Sequence, residues 1–175
     1  MTEEHIEVFK EQVKDALNAA REINFNCNRK KIAFPCNKRE SVKIVFEEFI
    51  RDAVCDIKII CNTFPDDFYI DANEACEILK DVVWHVEEFK IVCVKNNLPK
   101  KFSSIYKENI IELPNGISIL DENNLSALLV DYNFLVSSSA MHNDYIASID
   151  GKYQIIQKIE KLVDSFFTNF KKEQN

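Results

Sequence analysis

Only two glycines, Gly116 and Gly151, occur in the 175 residues of this chain, where ordinary usage of roughly 7% would place about a dozen. Backbone that approaches a phosphate closely draws on glycine, because a Cβ would collide there. A Walker loop, a dinucleotide fingerprint, a kinase glycine loop and a nucleophile elbow each need glycines at fixed offsets. Two isolated ones cannot write any of them, so whole classes of phosphate-handling chemistry are excluded at once.

A length of 175 residues and 46% hydrophobic content predict a single domain over residues 1–175 with one core. Acidic side chains number 29 against 22 basic ones, a net charge of -7. Such a balance predicts solubility and argues against broad binding to nucleic acid or to an anionic membrane. The opening Met1–Lys10 is charged and has no apolar signal-peptide core, and no apolar run approaches the roughly 20 residues of a membrane span. A cytoplasmic protein is expected. The six cysteines, Cys27, Cys36, Cys55, Cys61, Cys76 and Cys93, form no C-x-x-C pair and lack a secretory context, so buried reduced thiols are predicted. No cofactor and no metal are expected. The Lys-, Asn- and Ile-rich composition suggests an AT-rich bacterial or phage genome.

Hydrophobic periodicity sorts the first half into alternating helices and strands. Ile6, Phe9, Val13, Leu17 and Ala20 mark an amphipathic helix within residues 1–23. A short apolar run, Lys31–Phe34, stops at Pro35. Val42, Val45, Phe46, Phe49 and Ile50 form a second helical stripe, with Ser41 as its cap. Asp56–Asn62 reads as a strand rich in β-branched residues. Ala75, Leu79, Val82, Val86 and Phe89 define a third helix, followed by the strand Lys90–Lys95; this alternation predicts parallel βαβ units. Asn96–Ser104 reads as a loop. Beyond it, Asn109–Leu113, Ile117–Leu120, Leu125–Val130 and Phe134–Val136 are close-spaced strands that imply hairpins. A last helix carries Ile155, Ile159, Leu162, Val163, Phe166 and Phe170. The predicted fold class is α/β, a mixed sheet flanked by helices.

The order of elements leading into Asn124–Ser139 resembles one half of the phospholipase D superfamily over residues 29–170. In that family the signature H-x-K-x4-D-x6-G-S supplies a histidine nucleophile and a lysine for the phosphate charge. Setting Asp131 on the motif aspartate puts Asn124 at the histidine, Ser126 at the lysine and Ser139 on the serine, with Ser138 replacing glycine. An asparagine amide has no nucleophilic lone pair at neutral pH and a serine hydroxyl cannot replace an ammonium, so these positions are vestigial. The resemblance therefore implies a catalytically inactive phospholipase D-like domain that works through protein contacts. The family's pairing of two halves implies a homodimer with Asn124 and Asp131 near the join. The alternatives are a phosphodiesterase or nuclease with a rearranged site using Asp131, His142 and a serine, and a small-ligand sensor.

Other chemistry-bearing residues have plainer readings. Ser137 or Ser139 with His142, Asp144 and Asp131 can be imagined as a triad-like set, but a polar turn accounts for them. His85 beside Glu87 and Glu88 lacks zinc spacing. Asp66, Asp67, Asp71 and Glu74 precede the third helix, where carboxylates meet the positive end of its dipole. Basic residues cluster at Arg29–Lys31, Lys38 and Arg39, and again at Lys95, Lys100 and Lys101, which reads as a solvated surface or a local anion site. Trp84 falls opposite the apolar stripe of its helix. It is either an interface anchor or buried under the N-terminal helix.

Overall fold

The computed structural model of the chain describes residues 2–25, 31–36, 39–113, 125–131, 133–139, 145–150 and 160–169. In chain order these form α1 (Glu3–Phe25), β1 (Lys31–Cys36), α2 (Arg39–Arg51), β2 (Asp56–Phe64), α3 (Ala72–Val82), β3 (Glu88–Asn96), α4 (Lys100–Ile105), β4 (Ile110–Glu112), β5 (Leu125–Val130), β6 (Asn133–Ser139) and β7 (Tyr145–Asp150). A final helix, α5, covers residues 160–169. The seven strands make one mixed sheet in the order β1-β7-β6-β5-β2-β3-β4. β2, β3 and β4 run parallel, as the helix–strand alternation predicts. β5, β6, β7 and β1 pair antiparallel, and β2 joins the two halves by pairing antiparallel with β5.

Both faces of the centre are buried, so strand residues are apolar on successive positions rather than alternating with polar ones. Ile57 and Ile59 of β2, Ile91 of β3 and Leu128 and Val130 of β5 face α2 and α3. Ile60, Val92, Ala127 and Leu129 face the other way, against Val163 and Phe167 of α5. α2 is fixed over the first face by Phe46, whose ring lies 4.6 Å from Phe68 and 6.4 Å from Phe64. α5 is fixed over the second by charge as well as packing. Lys58 of β2, 4% exposed, reaches Asp164 at 3.4 Å and Glu160 at 3.9 Å. Lys90 of β3 bonds Asp164 at 2.9 Å and lies 5.4 Å over the Phe167 ring.

The joint between the sheet halves is closed by Asp131, the first residue of the turn between Val130 and Asn133. Its backbone is left-handed, φ 51°, a conformation that aspartate tolerates better than most residues. The carboxylate accepts backbone N–H bonds from Val54 at 2.8 Å, Cys55 at 2.5 Å and Asp56 at 3.1 Å. In return the Asp131 N–H donates to Asp56 Oδ1 at 2.8 Å. Side chain and backbone thus tie the end of β5 to the start of β2.

Several elements depart from the sequence reading. Pro35 does not end β1, which is an edge strand, the place in a sheet where proline is tolerated. α2 begins at Arg39, ahead of the expected cap Ser41. α3 ends at Val82, and Phe89 lies within β3. Asp71 caps α3 by accepting from Asn73 and Glu74 N–H, the role expected of it, whereas Asp67 accepts from Asn62 and Thr63 N–H of β2 rather than facing the helix. Cys61 and Cys93 are buried register partners, and burial pushes both thiols up, Cys93 to about 12. Cys55, expected inside, is exposed just before β2. The predicted strand Ile117–Leu120 lies outside the described residues.

Two substitutions test this account of the fold. Asp131→Ala strands three backbone donors at the joint and is expected to lower stability by about 2–4 kcal/mol in urea unfolding. Phe46→Ala opens a cavity in the first face and is expected to cost about 3–5 kcal/mol.

Candidate nucleic-acid interface

The positions that sequence reading grouped into one vestigial site are divided by the fold. Ser126 lies near the start of β5, where it pairs with Ser137. Ser139 ends β6 opposite Tyr145, next to Ser138, which pairs with Leu125. Asp131 stands past the other end of β5, five residues from Ser126, which is about 16 Å along an extended strand. Its carboxylate is engaged by the α2–β2 connection, on which it acts as a clasp. Asn124, His142 and Asp144 lie outside the described residues.

Trp84 is not on a helix but in the turn after α3, and it is 82% exposed. Burial under α1 is therefore ruled out; α1 uses Val13 and Phe9 to pack on the first face. His85 shares that turn. Among the described residues no group of three or more His, Cys, Asp or Glu could hold a metal ion. No described helix is long and apolar enough to cross a membrane.

The segment read as a loop, Asn96–Ser104, leads into a helix, α4, that the sequence reading missed. Its backbone is pinned to the carboxyl ends of the parallel strands. The Asn97 N–H donates to Phe64 O at 2.8 Å, and Asn97 Nδ2 donates to Asp66 Oδ2 at 2.7 Å. Asn96 Oδ1 accepts from the Leu98 N–H at 3.0 Å, and Asn96 Nδ2 donates to Ser103 Oγ at 3.0 Å. Leu98 and Phe102 are buried, and the Phe102 ring packs 4.6 Å from Tyr106. These anchors hold α4 with its polar side outward. Lys100, Ser103, Ser104 and Lys107 line an open cleft of about 520 Å³, and Lys95 and Lys101 are exposed beside it. None of these four lysines makes an ion pair among the described residues. Crevices outside the carboxyl ends of parallel strands are where open α/β sheets bind ligands. Ammonium and hydroxyl groups presented together there suit a phosphate-bearing chain. The signal available in the sequence was the spacing of Lys100, Ser103 and Ser104, an i, i+3, i+4 set on one side of α4, with Lys107 in the turn that follows.

No family model matches the chain, and no curated protein matches it. Two solved structures share its fold. The structure of TrmBL2, an archaeal chromatin protein that shows a novel mode of DNA binding, superposes with a TM-score of 0.55 at 16% identity, covering 95% of this chain and 67% of that one. NucT from Helicobacter pylori superposes with a TM-score of 0.50 at 13% identity, covering 81% of this chain and 94% of that one. At these identities the likeness to both is one of fold, and it agrees with the mixed α/β sheet flanked by helices expected from the sequence. Two expectations fall against TrmBL2: a role confined to protein contacts, and the exclusion of nucleic acid. The exclusion rested on net charge, which is a sum over the chain, whereas a binding field depends on where the charges stand.

Proposed function

We propose that this chain is a DNA-binding domain that grips the phosphate backbone with the basic, hydroxyl-bearing face of α4. The observation that carries this reading is the cleft formed by Lys100, Ser103, Ser104 and Lys107 on a segment pinned to the carboxyl ends of β2 and β3. Likeness in fold to a chromatin protein that binds DNA supports it. Lysine and serine contacts to phosphate supply affinity and register but read no base edges, so the binding is expected to be indifferent to sequence. Each lysine on a phosphate releases counterions, so affinity falls with salt. A second reading, hydrolysis of the bound phosphodiester, is favoured by the likeness to NucT, which extends over 94% of that chain.

Fluorescence anisotropy of a labelled duplex tests the first reading. The double substitution Lys100→Glu and Lys107→Glu is expected to weaken binding at least tenfold and to reduce the slope of log affinity against log salt by about 2. Equal affinity for wild type and variant would remove α4 from the interface. Nicking of the same duplex by wild-type protein, measured on a gel, would establish the second reading.

A further inference from the structure

We infer that docking of the C-terminal helix α5 is coupled to a proton held at the start of β2: protonating Asp56 fastens the helix and ionising Asp56 loosens it. Asp56 is 5% exposed. It alternates along β2 with Ile57, so it shares a side of the sheet with Lys58 and Ile60, the side that α5 covers. Asp131, Lys58 and Glu160 are the charged groups that face it. Lys58 is in turn shared with Glu88 of β3 and with Glu160 and Asp164 of α5, and Lys90 completes the set. Four carboxylates, Asp56, Glu88, Glu160 and Asp164, therefore surround two ammonium groups, Lys58 and Lys90, and the Asp131 carboxylate stands behind Asp56. One proton on Asp56 relieves the surplus where it is most buried.

Burial first, then the Glu160 and Asp131 charges, raise the Asp56 carboxyl to about 6, against the partial opposition of Lys58 and of the Asp131 N–H. Two of these influences belong to the docked helix, which covers Asp56 and brings Glu160 to it. Linkage is reciprocal: if docking of α5 favours the proton, then loss of the proton disfavours docking by the same factor. A carboxyl raised in the folded state binds a proton that the unfolded chain has already released. Its contribution to stability is thus present below about pH 6 and is lost as pH rises through that value.

Amide hydrogen exchange of the full chain at pH 5.0 and 7.5, each rate divided by its intrinsic rate, reads the opening of residues 160–169 directly. Opening is expected to be about tenfold more frequent at pH 7.5, with amides of β3 unchanged. Asp56→Asn keeps an acceptor for the Asp131 N–H but cannot ionise, and is expected to abolish the difference and hold α5 closed at both values. Glu160→Gln, which removes the repulsion from the helix side, is expected to shrink the difference and serves should Asp56→Asn fold poorly. Equal opening at both pH values in the wild type would overturn the coupling. So would a pH dependence that survives both substitutions.

Discussion

Strand β2 is where two kinds of sheet meet, and the structure depends on keeping its register against both neighbours. On one side it runs parallel with β3, a pairing made through a helical crossover. On the other it runs antiparallel with β5, which belongs to a succession of hairpins. Since side chains alternate with a period of two, a slip of one residue would turn Ile57 and Ile59 from the α2 face to the α5 face. Asp131 guards against that slip. Three N–H groups of Val54, Cys55 and Asp56 converge on its carboxylate, a geometry available in only one register. The buried Lys58 adds a second constraint, because a slip would take its ammonium away from Asp164 and Glu160.

This joint gives the two ends of the sheet different characters. At the amino end of β2 the carboxylate clasp and the exposed Trp84 turn lie together with the start of β3. At the carboxyl end, Asn96 and Asn97 fasten α4 with its lysines outward. The chain carries a net charge of -7, yet much of its acid is committed internally: Asp67 and Asp71 to backbone N–H groups, Glu88 and Asp164 to lysines. Lys100 and Lys101 of α4 and Lys107 just after it, which make no ion pair among the described residues, set the local field, which is the quantity a polyanion meets first.

Much of the architecture was legible from residue order. β-branched runs marked β2 and β3, the apolar stripe marked α2, and their alternation implied parallel pairing, all of which the structure bears out. The elements that escaped have physical reasons. α4 is six residues long, too short to display a full helical period, and it is held by Asn97, whose partners Phe64 and Asp66 lie far off in sequence. β7, Tyr145–Asp150, alternates weakly and borrows its strand character from β6 and β1. Pro35 looked like a terminator because a sequence does not state which strand sits at an edge. Asp131 drew a chemical reading from a motif, whereas its position at a turn opening with positive φ was the better guide, since aspartate is favoured there. Lys95, Lys100 and Lys101 were legible as a solvated surface or a local anion site, but without aromatic residues or a glycine-rich loop among them the sequence did not favour the second reading.

The most direct measurement of the central claim is a titration of isotopically labelled protein with a short DNA duplex, followed by the shift of each backbone amide. Residues 97–107 are expected to move progressively and saturably, while amides of β1 and β7, at the opposite edge of the sheet from β3 and β4, stay in place. Shifts confined to the Trp84 turn, or no saturable shift at low salt, would contradict a DNA interface on α4.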